Sequence, residues 1–305
     1  MNRVVIGTRG SPLARWQAAH VASTLSAAHG GLRVEERIVV TEGDRLGSGT
    51  LWNAGGKGVW VKEIEAALLA REIDLAVHSM KDVPGELAPG LVLVAVPGRA
   101  DVRDAVVSHT GKGLDALPKA ARVGTTSLRR ACQLKAARPD LDIQILRGNL
   151  DTRLRKVADG VVDAAVLACA GLDRLGLAER IAERLPVERM LPAVGQGALA
   201  VEARADDGWA HRICEVLTDR ETATAVAAER AYLARLGASC RTPVAGYARV
   251  AGGVMTMLGL VGRPDGSEII RDRMNGRADD PLGVGVALAD RLLARGAAAI
   301  LAATR

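Results

Sequence analysis

Apolar positions along this chain change period repeatedly, and the changes mark out alternating strands and helices. The run Ile73-Asp74-Leu75-Ala76-Val77 is almost unbroken apolar sequence, as expected of a strand covered on both faces of a parallel sheet. It stops in charge. Lys81 and Asp82 stand side by side before Val83-Pro84, and a residue preceding proline is pushed out of helical space, so an extended or turned segment is predicted there. Upstream, Val4-Val5-Ile6 reads as a strand, and Gly7-Thr8-Arg9-Gly10-Ser11-Pro12 leads into a helix over 13–29, with Ser11 as N-cap and Pro12 as its first residue. A second strand is predicted over 33–40. An amphipathic helix over 60–70 follows, where Ile64, Ala67 and Leu68 recur at helical spacing, and a strand over 91–96 is closed by Pro97-Gly98.

Beyond the charged segment 99–104 the pattern repeats in kind. A strand near 105–107 is followed by Arg122-Val123-Gly124-Thr125-Thr126-Ser127, which opens a helix over 128–137 stopped by Pro139. A strand over 141–146 ends in Arg147-Gly148-Asn149, Arg153 falls in the first turn of the next helix, and a further apolar strand covers 161–169. Leu191-Pro192-Ala193-Val194-Gly195-Gln196-Gly197-Ala198 breaks the rhythm and leads to a strand over 199–202, the chain crossing back toward its first part. Two β/α units joined by an outgoing and a returning segment predict a hinged, two-lobed clamp. Thr218-Asp219-Arg220-Glu221 reads as a capping box, with Thr218 and Glu221 in reciprocal hydrogen bonds, for a helix reaching Leu236 and ending at Gly237. Strands over 247–250, 254–260 and 268–273, a helix over 282–295 and a strand over 298–302 complete a small α+β domain. The predicted fold is α/β in three domains: a first lobe from 1–97 and 198–215, a second lobe over 101–193, and a C-terminal domain over 219–305.

Composition narrows the possibilities. At 305 residues, with 49% apolar and 25% charged, the chain has ample core material and no mark of disorder. No apolar run approaches the roughly 20 residues that cross a bilayer, and Met1-Asn2-Arg3 leads straight into a strand, so a cytoplasmic protein without membrane partners is expected. Cys132, Cys169, Cys214 and Cys240 are far apart and the five histidines are scattered, so neither a disulfide framework nor a metal site is expected. The net charge of +6 favours an anionic partner. With four Trp, two Tyr and no Phe, the chain lacks the stacking residues of single-strand nucleic-acid binders, and a small anion becomes the better partner.

Candidate chemistry follows from placement. Arg9, Arg129, Arg130 and Arg147 all fall at predicted strand-to-helix junctions, with Arg153 and Arg174 close behind, and in a parallel α/β sheet such junctions share one edge. Arg129 and Arg130 lie in a first helical turn, where the dipole disfavours cations, which makes sense if they hold an anion. Lys81 and Asp82 sit beyond the carboxyl end of a strand, where a catalytic pair and a solvated turn are both possible readings. Gly55-Gly56-Lys57-Gly58 lacks Walker A spacing; Lys57 reaches an anion only if its loop folds over a cleft, and otherwise sits in a turn. Cys240, in a polar loop beside Arg241, is either a tethering thiol or an ordinary loop cysteine.

Taken in order, Thr8-Arg9-Gly10-Ser11-Pro12-Leu13-Ala14, Gly55-Gly56-Lys57-Gly58, Val77-His78-Ser79-Met80-Lys81-Asp82-Val83-Pro84, Gly124-Thr125-Thr126-Ser127-Leu128-Arg129-Arg130, Leu146-Arg147-Gly148-Asn149, Val194-Gly195-Gln196-Gly197-Ala198 and Cys240 resemble the porphobilinogen deaminases, also called hydroxymethylbilane synthases. The likeness spans essentially the whole chain. It implies two lobes like periplasmic binding proteins plus a third domain carrying the cysteine loop. The implied activity joins four porphobilinogen molecules head to tail, with loss of ammonia at each step, to give the linear tetrapyrrole hydroxymethylbilane. The implied cofactor is a dipyrromethane held through a thioether at Cys240.

By the same resemblance, Asp82 is the catalytic carboxylate. Lys81, Thr125, Thr126, Ser127, Arg129, Arg130 and Arg147 hold the cofactor. Arg9, Ser11, Arg147, Arg153, Arg174, Gln196 and Lys57 hold substrate acid groups, which guanidinium forks grip bidentately. Family habit implies a monomer. The chain departs from the family pattern at Asn53, where a basic residue is usual, and at Trp60, where phenylalanine is usual. Two rivals stand beside this reading: an anion-binding receptor without catalysis, and a nucleic-acid binder whose affinity would fall steeply with salt.

Overall fold

The computed structural model describes residues 2–45, 60–239 and 242–304. Its strands, in chain order, are β1 (Arg3–Thr8), β2 (Arg33–Ile38), β3 (Leu75–Ser79), β4 (Leu91–Ala95), β5 (Asp104–Ser108), β6 (Arg122–Gly124), β7 (Asp142–Gln144), β8 (Ala164–Ala168), β9 (Glu183–Leu185), β10 (Leu199–Arg204), β11 (Val244–Ala251), β12 (Val254–Gly262) and β13 (Ile269–Arg277). Its helices are α1 (Pro12–Ala28), α2 (Glu42–Arg45), α3 (Lys62–Leu69), α4 (Leu128–Ala137), α5 (Leu150–Ala158), α6 (Cys169–Arg174), α7 (Gly208–Cys214), α8 (Arg220–Arg235), α9 (Pro281–Leu292) and α10 (Ala298–Ala302). The chain divides into two compact units, Met1–Arg99 with Ala198–Ala223 and Ala100–Gly197 with Thr224–Arg305.

In the first unit the strand order is β2-β1-β3-β10-β4. β1 is parallel to β2 and β3, whereas β10 runs antiparallel to both β3 and β4. The sheet is covered on one face by α1, with Val4, Ile6, Val21, Leu25, Leu75 and Val77 fully or almost fully buried, and on the other by α3 through Ile64 and Leu68.

The second unit repeats this plan as β7-β6-β8-β5-β9, with β6 parallel to β7 and β8 and β5 antiparallel to β8 and β9. Both sheets are therefore mixed, which corrects the expectation of parallel sheets. The reversed strands, β5 and β10, are the two that follow crossings between the units. No helix intervenes between β4 and β5 or between β9 and β10 to carry the chain back to the other edge of a sheet, so each is entered from the carboxyl edge of its neighbours.

A third sheet, β11-β12-β13, is an antiparallel meander in the second unit. It packs on α8, α9 and α10 around the fully buried Tyr232, Met255, Met257 and Leu288. Its β12–β13 turn sits close on α4: a Cβ on Gly266 would stand 2.6 Å from the Ala136 nitrogen, and that residue has φ +75°. The fold is thus two α/β sheets with a small C-terminal α+β part.

Two local expectations fail. The capping box at Thr218 is not formed; Asp219 caps α8, its Oδ1 accepting the Thr222 N–H at 2.8 Å. Residues 298–302 are helical rather than a strand, because the chain kinks at Gly296 (φ +101°) and then buries Ile300 and Leu301 on one face of α10. Alanine at 297–299 and 302 favours that outcome, since it has the highest helix propensity.

Candidate active site

In the first unit the candidate residues follow the ends of two neighbouring parallel strands, with Ile6 facing Leu75 and Gly7 facing Ala76. After β1 the buried Thr8 donates its hydroxyl to the Ala14 carbonyl at 3.1 Å, and Ser11 accepts the Ala14 N–H at 3.3 Å, capping α1 as the sequence predicts. The intervening Arg9 is thereby held at the helix start. Its guanidinium donates from Nε to both oxygens of Asp44 at 3.2 Å and lies over the Trp60 ring, 3.9 Å from the centroid.

The end of β3 is fixed from two sides. Gln17 of α1 donates to the Ser79 hydroxyl at 2.9 Å, and the Met80 N–H donates to the Ala198 carbonyl at 3.0 Å. A single 3₁₀ turn over Met80–Asp82 then leaves Lys81 half-buried and Asp82 exposed. One residue before Ser79, the buried His78 has its Nε2 3.0 Å from Glu202 Oε2 on β10, tying the two strands together.

The second unit assembles its residues in the same way, since β7, β6 and β8 are adjacent and parallel. After β6 the Thr125 hydroxyl accepts the Ser127 N–H at 3.1 Å, and Ser127 caps α4. After β7 comes Arg147 and then Gly148 with φ +114°, where a Cβ would strike the Thr152 side chain at 2.6 Å. The carbonyl of Gly148 accepts from Arg153 Nε at 2.8 Å. Arg174, at the end of α6, donates to the Gly197 carbonyl at 2.8 Å, and burial draws its pKa down to about 10. Gly197 itself (φ +87°) lies against Ala100, whose N–H its carbonyl accepts.

The most buried part of this edge centres on a residue that the sequence reading passed over. Asp104, at the start of β5 and fully buried, accepts from Arg129 Nη1 at 2.7 Å, from Arg130 Nε at 3.1 Å and Nη2 at 2.7 Å, and from Gln196 Nε2 at 3.0 Å. Burial alone would push its carboxyl up, but the two guanidiniums outweigh that and hold it far below the usual range. Asp104 is therefore one anion that the two arginines in the first turn of α4 hold. Arg130 has all three of its guanidinium nitrogens committed, two to Asp104 and Nη1 to the Val166 carbonyl. Arg129 differs: its Nε is buried without an acceptor. Asp104 was legible only as an acid heading the apolar run Ala105-Val106-Val107, a position where an unpaired charge would be costly.

Cys132, Cys169 and Cys214 are buried free thiols, pushed up by burial to about 11, 11 and 12. Cys240, Lys57 and Asn53 lie outside the described residues. Among the described residues no group of His, Cys, Asp or Glu is arranged to hold a metal ion, and no helix is long and apolar enough to cross a membrane.

Comparison with known proteins now decides the family. The family profile "Porphobilinogen deaminase, dipyromethane cofactor binding domain" matches residues 4–212, and "Porphobilinogen deaminase, C-terminal domain" matches 223–294. The chain belongs to the porphobilinogen deaminase family. It is 50% identical over 299 residues to the porphobilinogen deaminase of Roseiflexus sp. (strain RS-1), covering 98% of each chain. It is 51% identical over 298 residues to that of Syntrophotalea carbinolica, covering 98% of this chain and 95% of the relative. Looser overlaps with solved structures include the VFT2 domain of BvgS from Bordetella pertussis, at 19% identity and TM-score 0.42 over 70% of this chain and 85% of that one. An arginine-specific periplasmic binding protein of Salmonella typhimurium overlaps at 14% identity and TM-score 0.41, over 73% of this chain and 94% of that one.

The first family segment takes in both α/β sheets, and the second covers most of the meander and its helices. A dipyrromethane bearing carboxylates fits the donor set found here. The buried, unsatisfied Nε of Arg129 offers a charge-assisted donor, and the Thr125, Thr126 and Ser127 hydroxyls stand at the same junction.

Proposed function

We propose that this chain is a porphobilinogen deaminase, joining four porphobilinogen molecules head to tail with release of ammonia to give hydroxymethylbilane. Family membership over nearly its full length supports the activity. The observation that carries the mechanism is the exposed Asp82 carboxylate on a turn locked between α1 and β10, with Arg9 at the end of the adjacent strand.

The roles follow from charge. Porphobilinogen carries an acetate and a propionate, and Arg9, Arg147, Arg153 and Arg174 hold these groups, with Ser11, Gln196 and Lys57 assisting. For Arg174 a bound carboxylate offsets part of the cost of burying a cation. Arg129 and Arg130, set by Asp104, form with Lys81, Arg147, Thr125, Thr126 and Ser127 the cradle for a dipyrromethane joined to Cys240. When bound, that group supplies the free pyrrole α-carbon to which the first unit is added.

Asp82 acts on the incoming porphobilinogen. Its aminomethyl group is an ammonium at neutral pH, so the carbon–nitrogen bond breaks with the electron pair leaving on neutral ammonia, and positive charge spreads over the methylene and the pyrrole nitrogen. Asp82, accepting the pyrrole N–H, stabilises that charge. Once the new carbon–carbon bond has formed, a proton must leave the α-carbon for the ring to regain aromaticity, and Asp82 relays it. The domain limits 1–97 with 198–215, 101–193 and 219–305, a cytoplasmic location and a monomeric state belong to the same proposal.

Intact-protein mass spectrometry tests it. The purified enzyme is expected to carry an adduct of dipyrrole mass that Cys240→Ser lacks. An unmodified mass in an enzyme that turns over porphobilinogen overturns the primer mechanism.

A further inference from the structure

The surroundings of Arg9 hold a feature that binding of substrate alone does not explain. Its guanidinium is occupied on two sides. One face lies against the Trp60 ring at 3.9 Å, and its Nε and Nη2 edge meets the Asp44 carboxylate in a forked ion pair. Asp44 is itself held in place, its Oδ2 accepting from the Thr41 hydroxyl at 2.8 Å and the Thr41 N–H at 3.2 Å. Gly43 makes room for the indole: a Cβ there would stand 2.3 Å from Trp60 Cε3 and Cζ3. The short helix α2 is pinned to α3, with Arg45 3.0 Å from Glu63 and the Glu42 N–H donating to the same carboxylate oxygen at 2.8 Å. Asp44, set by Thr41, and Trp60, seated against Gly43, thus hold one cation from two sides. Both partners of the ion pair remain about a quarter exposed, 24% for Arg9 and 25% for Asp44, so the pair is open to exchange with a solute.

We propose that Asp44 is an internal carboxylate that competes with the acid groups of the substrate for Arg9, and so sets substrate affinity, while Trp60 holds the guanidinium plane ready for either. Partial burial pushes the Asp44 carboxyl up, but its bonds to Arg9 and Thr41 outweigh this and keep it below its ordinary range, so it competes as the anion throughout neutral pH. A carboxylate of the substrate offers the same fork geometry as Asp44, so exchange conserves the hydrogen bonds. Stacking on the indole face leaves the edge of the guanidinium free to change partners. The inference rests on the reading of Arg9 as a substrate-binding cation, and adds that the chain carries its own antagonist of that contact.

The sign of one kinetic effect decides it. Asp44→Asn keeps the Thr41 contacts and removes the charge, so the Michaelis constant for porphobilinogen should fall about five-fold on the holoenzyme, the scale of a partly exposed ion pair. A merely structural role predicts the opposite, a rise. Arg9→Ala should raise the Michaelis constant, and in an Arg9→Ala background the Asp44→Asn effect should vanish. If Arg9→Ala leaves the Michaelis constant unchanged, the reading of Arg9 fails and the inference with it. If Arg9→Ala raises it but Asp44→Asn does not lower it, or lowers it equally without Arg9, the competition alone is overturned.

Discussion

A single carboxylate carries the proposed chemistry, and its setting makes it separable from stability. Asp82 is exposed on a turn whose backbone bonds run through Met80, Ala198 and Val83 rather than through its own side chain. Asp82→Asn should therefore leave the melting temperature within a degree or two yet lower kcat by roughly 10² to 10³, the usual cost of removing a group aimed at developing charge. Steady-state turnover set beside a thermal melt checks both halves, and near-wild-type turnover moves the role to another residue. At this scale the sequence was informative where side chain and backbone act locally. Ser11 and Ser127 were legible as caps because a cap bonds three residues ahead. The partners of Arg129 and Arg130 were not, since Asp104 lies 25 and 26 residues away and meets them only through the pairing of β5 with β8 and of β8 with β6. Glu202 escaped notice for the same reason: it reaches His78 across 124 residues.

Elements were legible where one face is buried and one exposed, and were misread where two local signals competed. The start of α8 is the instructive case. Thr218 and Glu221 have capping-box spacing, yet the chain bends one residue later and Asp219 takes the cap, its carboxyl lowered first by its bond to Thr222. Asp219→Ala should then cost about 1 kcal/mol, the ordinary value of an N-cap, whereas Thr218→Ala should cost only a few tenths. Denaturant titration of the two variants separates them, and equal or reversed costs would restore the capping box. Residues 298–302 were misread because short apolar runs look alike in strand and helix. What separates them here is Gly296, whose positive φ turns the chain so that Ile300 and Leu301 meet the C-terminal core.

The two units share a plan that the sequence expressed as a repeat of β/α segments. The reversed strands β5 and β10 were hidden, because strand direction depends on which edge the chain enters and not on residue pattern. That reversal places Asp104 at the carboxyl edge of its neighbours, beside the arginines, and gives the second unit an acid-sensitive centre. Asp104 faces Arg129 and Arg130 on α4 and Gln196 in the crossing loop, and its charge also raises the pKa of the Cys169 thiol on α6. A carboxyl held below its unfolded value stabilises the fold above pH of about 4, and that stabilisation is lost as pH falls toward the folded value. Asp140, lowered to about 2 by Arg138, adds to the same loss on the surface of this unit. In the first unit Glu65 works the other way: burial and the nearby Glu202 raise its pKa, so acid relieves rather than adds strain. Protonating Asp104 leaves two buried guanidiniums without a counter-charge, a loss of about 3 to 5 kcal/mol for a broken buried pair. Acid unfolding should accordingly begin in the second unit. In hydrogen exchange followed from pH 7 to pH 2, amides of β5 and α4 should lose protection before those of β1 and β3, in two transitions rather than one. If the first unit opens first, or both open together, the buried ion pair is not what acid attacks.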